Sequence, residues 1–109
     1  MTADEFRTVA LTFPQAVESS HFDTADFRVG GKIFATLREA DGRAVLKLSP
    51  GDQQLFMETA SGEFAPVDGG WGLKGWTRVI LDQADEPTVR HAMTIAWKSV
   101  APKKLLKAL

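Results

Sequence analysis

Cysteine and tyrosine are absent from the 109 residues. Without cysteine there are no disulfides, no thiolate metal sites and no cysteine nucleophile. Small domains of oxidising compartments often depend on such cross-links, so the composition points to the cytoplasm. Histidine is scarce: His21 and His91 are the only two, and no HxxxH or HExxH string exists. A zinc-type centre needs three or four converging ligands, so neither metal nor cofactor is expected. No run approaches 18 consecutive apolar residues, which excludes a membrane-spanning helix. Met1–Ala10 carries Asp4, Glu5 and Arg7 and lacks the apolar core of a signal peptide. Repeats and low-complexity tracts are also missing.

What is present describes one globular domain over residues 1–109. Hydrophobic residues make up 44% and charged residues 25%, which is ordinary for a chain that folds around its own core. The net charge of −1 excludes a strongly basic nucleic-acid binder at the level of the whole chain. Charge is nonetheless unevenly placed. Residues 1–27 hold five acids and one base, whereas residues 28–48 hold five bases and two acids. Residues 90–109 hold five bases and no acid.

Local signals divide the chain into elements. Thr2 and Glu5 have capping-box spacing, and Phe6, Val9, Ala10 and Phe13 follow at helical intervals until Pro14. Phe27–Val29 and Lys32–Arg38 flank Gly30-Gly31, a favoured two-residue hairpin turn. Ile33, Ala35 and Leu37 alternate with Lys32, Thr36 and Arg38, which predicts a half-buried strand with the apolar set inward. After Asp41-Gly42, Ala44, Leu46 and Leu48 alternate with Arg43 and Lys47. Ser49-Pro50 opens a helix with Leu55, Phe56 and Thr59 inward, closed by Gly62. Glu63–Val67 and Trp76–Leu81 read as two further strands around a flexible glycine-rich loop, Asp68–Gly75. Val89, Ala92, Met93, Ala96 and Val100 form one apolar stripe, bounded by Glu86-Pro87 and Ala101-Pro102. The expected fold is α+β in the order α-β-β-β-α-β-β-α. Helices pack on a five-stranded antiparallel sheet, and Lys103–Leu109 forms a short C-terminal helix.

Several strings resemble the MmcQ/YjbR-like family of bacterial proteins. They are Leu11–Ala16 (LTFPQA), Phe27–Ala35 (FRVGGKIFA), Lys74–Val79 (KGWTRV), and the Lys98–Val100 and Pro102–Lys104 segments of the C-terminal region. Where the family usually has histidine before the tryptophan, Gly75 stands here, and Ala96-Trp97 replaces its Ser-Tyr. The resemblance spans nearly the whole chain. It implies a secretion-chaperone-like α+β topology and a DNA-binding role through a double-wing arrangement.

The residues themselves give three readings. The first is a weak nucleic-acid-binding module. Arg28, Lys32, Arg38, Arg43 and Lys47 would contact the phosphate backbone, with Trp71 and Lys74 on a second hairpin and Lys103 and Lys104 adding terminal charge. Trp71, set among glycines, is a candidate contact for a base or a protein. Trp76 and Trp97 read as core or core rim. The second reading is a non-catalytic interaction or adaptor domain, self-associating or bound to a protein, with an apolar patch around Trp71 or Phe34. The third reading, an enzyme, has no convergent acid–base or nucleophile set that can be named. His21, Asp23, Ser19 and Ser20 lack a nucleophile elbow, and the glycine-rich loop lacks the GxxxxGK[ST] phosphate pattern.

Overall fold

The computed structural model describes residues 1–109. Its first helix, α1 (Ala3–Leu11), begins where the capping box predicts. The Thr2 hydroxyl accepts from the Glu5 backbone N–H at 3.1 Å, and the Glu5 carboxylate accepts from the Thr2 N–H at 2.8 Å. Strands β1 (Val17–His21), β2 (Thr24–Val29), β3 (Lys32–Arg38) and β4 (Arg43–Lys47) follow. Next come α2 (Pro50–Thr59), β5 (Phe64–Pro66), a single helical turn α3 (Gly70–Leu73), β6 (Trp76–Val79) and α4 (Glu86–Val100). A 3-10 segment, Lys103–Ala108, ends the chain.

The sheet is wholly antiparallel, in the order β1-β2-β3-β4-β6-β5. It has six strands rather than the expected five. The additional one, β1, reads Val-Glu-Ser-Ser-His, and all five residues are exposed. An edge strand with neither face buried shows no alternation, so no period marks it in the sequence.

Helices α1, α2 and α4 cover one face of the sheet. Ala25, Phe27, Val29, Ala35, Leu37, Ala44, Leu46, Val79 and Phe64 point into that core, against Phe6, Val9, Phe56 and the α4 stripe Val89, Ala92, Met93 and Ala96. Trp97 belongs to the core at 0% exposure, stacks on Phe13 with ring centroids 6.2 Å apart and donates its indole N–H to the Pro14 carbonyl. In α2 the inward residues are Gln53 and Phe56, while Leu55 and Thr59 are exposed.

One irregularity decides which residues face outward. Phe27 pairs with Ala35, but Arg28 pairs with Ile33, so Phe34 is an extra residue on β3. This bulge turns Phe34 fully into the core and moves Ile33 to the opposite face. Simple alternation would place Ile33 inward. With Phe34 buried, no surface patch forms around it.

Candidate nucleic-acid interface

No helix packs across the second face of the sheet. Directly paired residues share a face, so the register sets its rows. Asp26, Thr36, Val45, Arg78 and Ala65 form the central row across β2, β3, β4, β6 and β5. Arg28 pairs with Ile33, Arg38 with Arg43, and Lys47 with Trp76 on the same side. Val45 is buried yet lies outside the helix-side core cluster, as expected of a residue covered only by long neighbours on this face.

Two adjoining grooves share Ile33 and Thr36. The first, of about 360 Å³, is lined by Ile33, Thr36, Arg43, Val45, Val67, Trp71 and Trp76. The second, of about 540 Å³, runs toward the β1–β2 turn past His21, Asp23, Asp26, Arg28 and Arg38.

Trp71 stands on α3 beside the first groove, 61% exposed. Its ring meets Trp76 edge-on, with centroids 6.0 Å apart and planes at 83°. The Lys74 ammonium lies 5.1 Å from the Trp71 ring, and the Lys47 ammonium 5.9 Å from Trp76. These are cation–π distances.

The segment expected to be a glycine-rich loop forms the helical turn that carries Trp71, and it is tied to its neighbours by hydrogen bonds and close backbone contacts. The side-chain amide nitrogen of buried Gln53 lies 3.1 Å from each of the Gly72 carbonyl, the Trp76 carbonyl and the Thr77 hydroxyl, and its two N–H groups are shared among these three acceptors. A Cβ on Gly72 would lie 1.8 Å from the Val67 carbonyl oxygen. A Cβ on Gly75, which has φ +107°, would lie 2.0 Å from that of Leu48. No side chain fits at either position, so the glycine that stands in place of the family's histidine is demanded by the local backbone.

The two grooves differ in charge. Beside the second, the Arg28 Nε donates to the Asp26 carboxylate at 2.8 Å, and the Arg38 guanidinium donates to Asp41 at 2.6 Å. Hydrogen bonds to these carboxylates hold both guanidinium pKa values above their ordinary value. The same bond from Arg38 holds the Asp41 carboxyl below the usual carboxylate range. Around the first groove, Arg43, Lys47 and Lys74 form no ion pair with any acid, whereas Arg78 lines a separate hollow with Asp41 and Asp82. The Arg78 Nε is buried without a hydrogen-bond partner.

Six of the nine residues singled out in the sequence meet on this side of the sheet: Arg28, Arg38, Arg43, Lys47, Trp71 and Lys74. Lys32 pairs with Val29, a core residue, and so leaves on the helix side. Lys103 and Lys104 follow Pro102, which packs on the Gly30 turn, and neither lines a groove of the open face. Sequence reasoning missed Arg78 and placed Trp76 at the core rim. Their signal was the alternation of both with Thr77 and Val79, which are buried. No group of three or more His, Asp or Glu side chains is placed to hold a metal ion. No helix is long and apolar enough to cross a membrane.

A helix-backed antiparallel sheet with one face uncovered defines an α+β domain with an open sheet surface. The YjbR family model matches residues 11–99, and the chain belongs to that family. In fold it is similar to the crystal structure of Deinococcus radiodurans protein DR2400, of the domain family DUF419, with a TM-score of 0.77 and 24% identity. That alignment covers 98% of this chain and 83% of the other. No curated protein matches the sequence.

Proposed function

We propose that this YjbR-family chain is a weak, non-catalytic nucleic-acid-binding module of the cytoplasm. It would act through the uncovered sheet face around Trp71 and Trp76. One observation carries the reading: Arg43 lines an aromatic groove and Lys47 and Lys74 lie against its tryptophans, with no acid paired to any of the three. Such a surface attracts phosphate, and each contact that forms releases counterions. Acids elsewhere account for the net charge of −1. Asp4, Glu18 and Glu39, for example, gather on Arg7 between α1, β1 and the turn after β3.

The groove holding His21 and Asp23 contains no lysine, and its hydroxyl groups are those of Thr24 and Thr36. Fluorescence anisotropy with labelled DNA tests the proposal. Micromolar binding at low salt that weakens steeply at moderate salt is expected. No binding at low salt would remove the reading.

A second reading, a protein-interaction or self-associating domain, draws on exposed apolar side chains. Phe22 is 92% exposed at the tip of the β1–β2 turn, and Leu73 is 82% exposed beside Trp71. Sedimentation as a monomer at high concentration would count against self-association.

A further inference from the structure

The first groove is shaped for an unpaired base rather than for a duplex. This inference rests on the nucleic-acid reading above and names the ligand form that the same site takes. Three observations carry it.

The aromatic groups lie where a base can reach them only if it is free. Trp76 is half-buried at the head of β6, and Trp71 rises from α3 beside it, the two rings nearly perpendicular. The rest of the groove's hydrophobic lining is Val45, Ile33 and Val67. A flat aromatic ring fills such a corner by stacking on one indole and meeting the other edge-on. Bases inside a duplex present only their edges, so the corner offers them nothing.

Charge is placed at the ends of the groove rather than on its floor. Arg43 and Lys47 lie four residues apart on β4, roughly 13 Å at the usual strand rise. Lys74 sits beyond Trp71, at the Lys47 end. A strand laid along β4 would therefore set phosphates on Arg43 and on Lys47 with Lys74, and a base between them.

The groove is poor in groups that read a base edge. Thr36 supplies its one neutral polar side chain, and Arg43 its one charged side chain. Stacking with so little hydrogen-bond readout gives tolerance of sequence.

We infer that the Trp71–Trp76 groove binds single-stranded nucleic acid by stacking one unpaired base, with the flanking phosphates on Arg43 and on Lys47 and Lys74. The test uses the full chain with a labelled oligo-dT and a random duplex of equal length, in low-salt anisotropy titrations. Trp71→Ala and Trp71→Phe are titrated beside the wild type, with circular dichroism to confirm that both fold. The single strand should bind about tenfold or more tighter than the duplex. Trp71→Ala should lose roughly tenfold on the single strand, and Trp71→Phe should keep most of the affinity. Duplex binding as tight as single-strand binding, unchanged by Trp71→Ala, would overturn base stacking and leave the nucleic-acid reading standing. Failure of both ligands to bind would overturn the two together.

Discussion

The two halves of the uncovered sheet face both carry cations and use them differently. On the β2–β3 half, Arg28 and Arg38 are each held by a carboxylate, Asp26 and Asp41. On the β4–β6 half, the lysines lie against tryptophan rings and no carboxylate takes part. A count of basic residues does not separate paired cations from unpaired ones. The difference is that an arginine already bonded to an acid must lose that partner before it can bind phosphate, whereas an ammonium over an indole keeps most of its donors free. Under the proposed function the β4–β6 half would be the binding half, and the β2–β3 half would be mainly structural.

The comparison can be sharpened by substitutions of graded effect. The largest contrast uses one residue type on opposite sides of the sheet. Trp97→Ala removes a fully buried ring and its hydrogen bond to Pro14, and should cost about 3–5 kcal/mol in urea denaturation. Trp71→Ala should cost about 1 kcal/mol or less in the same measurement, because its ring is mostly exposed and its one aromatic partner is Trp76. Comparable losses would mean that Trp71 serves folding rather than binding.

Next in size is Gly75→Ala. The added Cβ meets the Leu48 carbonyl at 2.0 Å in a positive-φ conformation, so a loss of about 2 kcal/mol or more is expected. A neutral result in the same denaturation would show that the turn carrying Trp71 is looser than its contacts with Gln53 imply.

The smallest effect concerns the structural half. Asp41→Asn releases Arg38 and should raise DNA affinity by about two- to fivefold at low salt, read by anisotropy. Mild acid should not achieve the same release. Arg38 holds the Asp41 carboxyl below the ordinary range, so the pair's contribution to folding is complete at neutral pH. That contribution is lost only as pH falls through the lowered value. An Asp41 carboxyl that titrates at the ordinary position by NMR would contradict this.

Much of the fold was legible in the sequence. The α4 stripe, the caps at Thr2 and Ser49 and the Gly30-Gly31 turn each act through neighbours close in the chain, and each forms where its signal stands. The elements that escaped are those whose signal is non-local. Strand β1 is recognisable only by its pairing with β2, and the Phe34 bulge only by the register of β2 on β3. The glycines of residues 69–75 suggest flexibility until Val67 and Leu48 are seen to occupy the space that side chains would need.

For the site, the sequence supplied Arg43, Lys47, Trp71 and Lys74. It could not separate them from Lys32, which points to the helix side, or from Arg28 and Arg38, whose acids become partners only in the folded chain.

The most direct measurement of the central claim is the salt dependence of single-strand binding for two double variants, Arg43→Ala with Lys47→Ala and Arg28→Ala with Arg38→Ala. The first pair should weaken binding and flatten the plot of log affinity against log salt by roughly 0.7 per lost phosphate contact. The second should leave the slope near that of the wild type. Equal flattening by both pairs would contradict the assignment of binding to the β4–β6 half.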